Sequence, residues 1–150
     1  MARPRRIWSN SAATVETIEV QARDRILLLS VPDVSLALSL ARQAFQGMVV
    51  GLGEDEQVRG ARQIARNCVN VMFVPGGPDQ IPWRDGFFTV VIDTMCHWAN
   101  PQKVIAEVVR ILGAGGLFHL RNLSPEHLPL LEPGFDQLEP APRWTLRKKP

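Results

Sequence analysis

Short apolar runs alternate with segments of helical periodicity along most of the chain. Residues 25–30 form a short, mostly apolar run, as expected of a strand that is buried on both faces. Asp33 can cap a helix over residues 34–46, where apolar residues recur at helical spacing, and Gly47 favours the end of that helix. The pattern therefore predicts a strand followed directly by a helix.

The same alternation continues downstream. Apolar runs predict further strands over residues 48–51, 70–75, 87–93 and 117–121. One helix is predicted from residues 54–56, three acids that suit the positive end of a helix dipole. Another is predicted from Asn100-Pro101, an N-cap followed by proline, to Gly113. Strands that alternate with helices in this way indicate a parallel sheet covered on both faces.

The last 30 residues have a different pattern. Residues 125–131 can form one or two helical turns, and residues 135–139 and 143–148 have the character of extended strands. Pro140-Ala141-Pro142 lies between these two strands and suits a chain reversal. The sequence thus predicts an antiparallel pair of strands at one edge of the sheet.

The composition agrees with one folded domain. The chain has 150 residues, of which 45% are hydrophobic and 21% are charged. We expect a domain over residues 25–150, preceded by an N-terminal segment, residues 1–24, that has a basic start. No apolar run reaches the roughly 18 residues that a membrane helix needs. Since two cysteines give no disulfide framework and no secretory signal is expected, we predict a cytoplasmic protein without membrane contact.

The net charge of +2 conceals an asymmetry between the ends of the chain and its body. Seven of the 17 basic residues lie within residues 1–6 and 143–150, whereas residues 7–142 carry 10 basic and 15 acidic residues. Proteins that bind nucleic acids place a basic surface on their folded body. We therefore interpret the basic ends as solvated and do not expect a nucleic-acid partner.

Four segments of the sequence resemble those of a known protein family. They are residues 70–74, 81–91, 100–101 and 107–116, with the sequences NVMFV, IPWRDGFFTVV, NP and EVVRILGAGG. With the closing segment from residue 130 onward, they resemble class I S-adenosylmethionine-dependent methyltransferases. The resemblance implies a three-layer, Rossmann-like α/β fold whose mostly parallel seven-stranded sheet has the order 3-2-1-4-5-7-6 and a terminal antiparallel pair. It also implies S-adenosylmethionine as the cofactor and a methyl acceptor that the sequence does not identify.

The loop after the first strand departs from the family pattern. The family has a glycine-rich G-x-G-x-G turn there, because the backbone must approach the methionine and ribose parts of the cofactor closely. The matching positions are Ser30, Pro32 and Val34. Pro32 removes a backbone N–H donor, and Val34 adds a branched side chain beside the expected cofactor position. The cofactor site implied by the resemblance is therefore divergent.

Two acidic positions of the family also differ. One acid ends strand two and accepts hydrogen bonds from the ribose hydroxyls, and another follows strand three and faces the adenine amino group. Gly53 and Gly77-Pro78 stand at these positions, so Glu54 and Asp79 are the carboxylates that can replace them. Glu54 equally suits the start of a helix. The cofactor-binding candidates are Ser30, Pro32, Gly53, Glu54, Gly77, Pro78, Asp79 and Asp93.

His97 follows strand four, where the family places residues that face the substrate. Because histidine titrates near neutrality, His97 is the candidate general base; alternatively, it is a loop histidine with a backbone hydrogen bond. Asp93 either contacts the cofactor or closes the end of the strand. Cys96 adjoins His97, but no further cysteine or histidine has a zinc-like spacing, so no metal site is expected.

Two functions stay open on the sequence. The first is a methyltransferase-family protein whose divergent cofactor site is weak or non-functional. The second is a non-catalytic scaffold of the same fold that acts through protein–protein contacts, as a homodimer or with another protein. The family-like segments, which occur in the order that the family has, motivate the first hypothesis. The loss of the loop glycines, together with the lack of a carboxylate at Gly53 and Gly77, motivates the second.

Overall fold

A computed structural model describes residues 18–31 and 33–150 of the chain. Within these residues the chain forms seven strands: β1 (Arg25–Leu28), β2 (Met48–Gly53), β3 (Val71–Pro75), β4 (Phe88–Asp93), β5 (Leu112–Leu120), β6 (Phe135–Glu139) and β7 (Trp144–Lys148). The same residues hold helices α1 (Val34–Gln43), α2 (Asp55–Ile64), α3 (Pro101–Ile111) and α4 (Leu128–Leu131). A 3₁₀ turn over Pro125–His127 precedes α4.

The strands form one sheet in the order β3-β2-β1-β4-β5-β7-β6. The strands from β1 to β5 pair in parallel with their neighbours. β7 runs antiparallel both to β5 and to the edge strand β6. The predicted fold class, strand order and terminal antiparallel pair are confirmed.

Most boundaries agree with the prediction to within two residues, but two differ by three or more. β5 begins at Leu112, because Leu112 pairs with Phe88 before the register shifts, so that the glycine-rich residues 113–116 form an irregularity inside the strand. α1 ends at Gln43 instead of residue 46. The side-chain amide of Asn70 donates to the carbonyls of residues 41 and 44 at 2.9 and 3.0 Å, which satisfies the last turn of α1.

Alternate residues of the central strands point into two hydrophobic cores, one on each face of the sheet. The core beneath α1 and α2 includes Ile26, Leu28, Val49, Phe73 and Val90. The core beneath α3 and α4 includes Leu27, Val50, Val91, Phe118 and Leu146. Burial on both faces explains why the central strands are continuous apolar runs. No helix in the described part of the chain has the length and apolar character needed to cross a membrane.

Side chains cap the helices where the sequence predicts them. Asp33 Oδ1 accepts a hydrogen bond from the backbone N–H of Ser35 at 2.9 Å, which starts α1. Asn100 Oδ1 accepts from the N–H of Lys103 at 3.3 Å, and Pro101 occupies the first turn of α3. Such caps contribute about 1 kcal/mol each and fix where each helix leaves its loop.

Residues 76–87, all of which are described, connect β3 to β4 without a helix. Arg110 of α3 holds this connection: its guanidinium donates to the carbonyls of Ile81 and Trp83 at 2.8 and 2.7 Å and pairs with Asp85 at 2.9 Å. Glu107 accepts the N–H of Ile81 at 2.7 Å and pairs with Arg110 at 2.8 Å. The hydrogen bonds from Arg110 lower the pKa of Glu107, which therefore stays ionised.

Candidate functional site

The loops that follow the parallel strands meet at one edge of the sheet, which we call the carboxyl edge. The chain passes from β1 to β2 and β3 on one side, whereas β4 leads to β5 on the other. The carboxyl ends of β1 and β4, where this order reverses, are the place where open α/β sheets bind ligands. The predicted site residues Ser30, Glu54, Asp79 and His97 all follow strands at this edge.

Ser30 lies directly beyond β1, where the N–H of Leu29 still donates to the carbonyl of Ile92 at 3.0 Å. The Ser30 hydroxyl oxygen is buried and has no hydrogen-bond partner in the described part of the chain. A buried hydroxyl without a partner is unfavourable, so this atom marks a place where a ligand can donate or accept. Pro32 lies outside the described residues. Val34 is half-buried and packs against the core beneath α1 and α2.

The side-chain space next to Gly53 holds the amide of Gln57. A Cβ atom built on Gly53 would lie 3.1 Å from Gln57 Oε1, and this oxygen accepts the N–H of Glu54 at 3.1 Å. Gln57 thus completes the start of α2 beside the position where the family carries its ribose-binding acid. Glu54 is exposed at the same place. The capping-box spacing from Glu54 to Gln57 is the sequence signal that identifies Gln57.

A tight turn brings the carboxylate of Asp79 back beside Gly77. The N–H of Gln80 donates to the carbonyl of Gly77 at 3.3 Å, and Pro78 lies inside the turn. Asp79 Oδ1 lies 3.1 Å from the position that a Cβ atom on Gly77 would occupy. The carboxylate of Asp79 therefore lies beside the place where a side chain of residue 77 would begin, although it is two residues later in sequence.

The buried carboxylate of Asp93 organises the loop between β4 and α3. Asp93 is 3% exposed. Its Oδ1 accepts the N–H groups of Met95 and Cys96, both at 3.0 Å, and its Oδ2 accepts the indole N–H of Trp98 at 2.7 Å. Both carboxylate oxygens are thus engaged by the loop that presents His97.

The loop carrying His97 is joined to the loop after β5. Cys96 and Asn122 both adopt left-handed backbone conformations, with φ of 53° and 63°. The Asn122 side-chain amide donates to the carbonyl of Thr94 at 2.8 Å. Left-handed non-glycine residues cost energy and cluster at functional sites. His97 is exposed next to Cys96, whose thiol pKa is raised well above its usual value by burial.

Trp98 belongs to a stack of rings behind this loop. The ring of His127 stacks on Trp98 with centroids 5.6 Å apart, and Phe118 lies on Trp98 with centroids 6.4 Å apart. Trp83 packs against Phe88 in the same core. Sequence reasoning missed His127, because no local pattern places this residue of a 3₁₀ turn against the loop after β4. No cluster of metal-ligating side chains occurs among the described residues.

The sequence from residue 32 to residue 120, more than half of the chain, matches the family described as methyltransferase domain. The chain belongs to the class I S-adenosylmethionine-dependent methyltransferase family. No curated protein matches the chain significantly.

Solved structures of similar fold agree with this membership. The chain matches the Bacillus subtilis YcgJ protein at 24% identity and a TM-score of 0.65, over 73% of this chain but only 48% of YcgJ. It matches a protein in the complex of the Haloferax volcanii Trm112 methyltransferase activator with a candidate methyltransferase, at 20% identity and a TM-score of 0.77, over 90% and 71% of the two chains. A geranyl diphosphate methyltransferase solved with S-adenosylmethionine matches at 19% identity and a TM-score of 0.63, over 72% of this chain and 47% of that one. The chain thus spans about half the length of two of these proteins.

Proposed function

We propose that the carboxyl edge binds S-adenosylmethionine weakly, through polar groups that differ from those usual in the family. The observation that carries this proposal is the position of the Asp79 carboxylate beside Gly77. There it can accept a hydrogen bond from the adenine amino group, as the family's acid after strand three does. A turn that folds the acid back thus compensates for the glycine at residue 77.

Two further groups support binding at this edge. Ser30 stands at a position that matches the family's first loop, and its buried hydroxyl has no hydrogen-bond partner among the described residues. Glu54 is exposed beside Gly53 and can accept from the ribose hydroxyls. An exposed glutamate is less well positioned than a fixed aspartate. We therefore expect each contact that differs from the family's usual contact to weaken the binding of S-adenosylmethionine. A lost charge-assisted hydrogen bond costs about 1.5 to 3 kcal/mol, or roughly a tenfold to hundredfold change in affinity.

The chemistry that follows from this binding is methyl transfer. When bound, S-adenosylmethionine supplies a methyl group on a positively charged sulfur. Held by Ser30, Glu54 and Asp79, it would pass this methyl group to a lone pair of the acceptor and would keep the electron pair of the broken carbon–sulfur bond. We propose that His97, which is exposed on the loop that Asp93 holds, takes the proton that the acceptor loses.

Calorimetric titration of an Asp79→Asn variant tests the proposed contact. Asparagine keeps the size of the side chain but removes the negative charge, so the affinity for S-adenosylmethionine should fall about tenfold. Asp136→Asn, an exposed substitution on β6, is the matched control and should leave the affinity unchanged. Equal affinities of the Asp79→Asn variant and the unchanged protein would rule out the role of Asp79.

A second candidate function is a scaffold of this fold that binds a protein partner and no cofactor. The observation in its favour is the Gln57 amide, which fills the space beside Gly53 that a ribose-binding side chain would use. The Haloferax volcanii protein of similar fold was solved in a complex with an activator. Sedimentation velocity tests the homodimer form of this function: a dimer at micromolar concentration supports it, and a monomer at all concentrations counts against it.

A further inference from the structure

A row of polar side chains crosses β5, β7 and β6 on the face of the sheet that carries α1 and α2. The Thr145 hydroxyl donates to Glu139 Oε1 at 2.9 Å, and His119 Nδ1 lies 3.2 Å from the same hydroxyl oxygen. His119 and Thr145 are each only 6% exposed. They are direct partners in the pairing of β5 with β7, so the strand register fixes their contact.

The hydrogen bonds determine which nitrogen of His119 carries the proton. The single hydroxyl proton of Thr145 is donated to Glu139, so Thr145 Oγ1 accepts from the Nδ1–H group of His119. The lone pair of the ring then lies on Nε2. Burial, followed by the nearby charge of Arg121, lowers the pKa of His119 to about 4, and the ring is neutral at pH 7. His119 Nε2 is buried and has no hydrogen-bond partner among the described residues.

His119 also lines a cavity of about 590 Å³. Its other walls are residues 19–21, Gln43, Leu117 and Glu139. Gln43 ends α1 and residues 19–21 precede β1, whereas His119 lies one residue before the carboxyl end of β5, so the cavity extends along the face of the sheet that carries α1. Its walls combine the apolar Val20 and Leu117 with the side-chain amides of Gln21 and Gln43.

We propose that this cavity binds a small, uncharged molecule with an apolar body and one O–H or N–H donor, which bonds to His119 Nε2. A donor is required because Nε2 is an acceptor that no described group satisfies. The carboxylates of Glu19 and Glu139 disfavour an anion. A cation would meet Arg121, which acts on the His119 ring, and Arg143, which lies 3.8 Å from Glu139. This inference does not depend on cofactor binding at the carboxyl edge.

Phenol and anisole test the proposal on the full-length protein. The two molecules have the same ring, but only phenol has an O–H donor. In titrations followed by NMR chemical shifts, phenol should cause saturable shifts at the His119 ring and at Leu117, and anisole should bind about tenfold more weakly. Equal binding of phenol and anisole, or no saturable shift with phenol, would overturn the proposal.

A substitution at His119 tests whether Nε2 causes the preference for phenol over anisole. In His119→Asn, the side-chain amide can still donate to Thr145 while the Nε2 acceptor is gone, so the preference for phenol over anisole should disappear. His127→Asn, a matched change on the opposite face of the sheet, should retain the tenfold preference. A preference that survives in His119→Asn contradicts the proposal. The comparison of the two ligands on the unchanged protein decides the matter even if the His119 variant does not fold.

Discussion

Asp93 is a buried carboxylate whose three hydrogen-bond donors all belong to residues 95–98. Replacing Asp93 by alanine should lower the free energy of unfolding by about 3 kcal/mol, because it leaves the Trp98 indole N–H and two backbone N–H groups without an acceptor. Urea denaturation measures this loss. The exposed substitution Asp136→Ala is the control and should change the stability by less than about 0.5 kcal/mol. An Asp93→Ala variant as stable as this control would contradict the assigned role.

His119 gives the stability a pH dependence of definite sign. Its pKa in the folded protein is about 4, against an ordinary value of 6.5. Between these values the unfolded chain binds a proton that the folded protein does not, so stability should fall as the pH is lowered from 7 toward 4. The loss attributable to His119 is at most about 3 kcal/mol. Comparison of urea denaturation at pH 7 and pH 5 should show a smaller loss for His119→Asn than for the unchanged protein, and equal losses would exclude His119 as the source.

Individual site residues were predictable from sequence to different degrees. Ser30, Glu54 and His97 follow predicted strands, so their place at the carboxyl edge could be inferred from the order of elements. The return of Asp79 to Gly77 depends on the conformation of one turn, which the sequence Gly-Gly-Pro-Asp does not specify by itself. The contact of His119 with Thr145 depends on the register of two strands distant in sequence, which no local pattern sets.

At the scale of elements, the connection between β3 and β4, which is described throughout, contains no helix. Arg110 and Glu107 of α3 hold it in place through hydrogen bonds. Arg110→Lys should loosen residues 76–87, because lysine cannot donate to several acceptors in the planar geometry of a guanidinium. Hydrogen exchange at the Ile81 amide, which donates to Glu107, should become about tenfold faster. Arg59→Lys on the exposed face of α2 should leave that rate unchanged. Unaltered exchange at Ile81 in Arg110→Lys would show that the connection is held by other contacts.

Element boundaries were less predictable than element order. The caps at Asp33 and Asn100 act locally, and the structure confirms both helix starts. The early start of β5 depends on the pairing of Leu112 with Phe88 of the neighbouring strand. The early end of α1 depends on Asn70, which is remote in sequence. Local signals therefore predicted where helices begin, and long-range contacts decided where two elements start or stop.

For the whole molecule, the fold and the proposed cofactor site depend on different residues. The two cores lie on the two faces of the sheet, and the apolar runs of the central strands supply residues to both of them. At the carboxyl edge, the acceptors that we propose for the cofactor are Ser30, Glu54 and Asp79, which differ from those that the family resemblance implies. A fold can persist while the chemistry of its site changes, since a scaffold and a binding site depend on different residues.

Calorimetric titration of the unchanged protein with S-adenosylmethionine, and separately with its demethylated product, tests the central proposal most directly. Saturable binding of both ligands, with dissociation constants below about 1 mM, is the predicted result, since a few replaced contacts remove only part of the binding free energy. The absence of saturable heat at several millimolar of either ligand, with the protein shown to be folded, would contradict cofactor binding and leave the scaffold function.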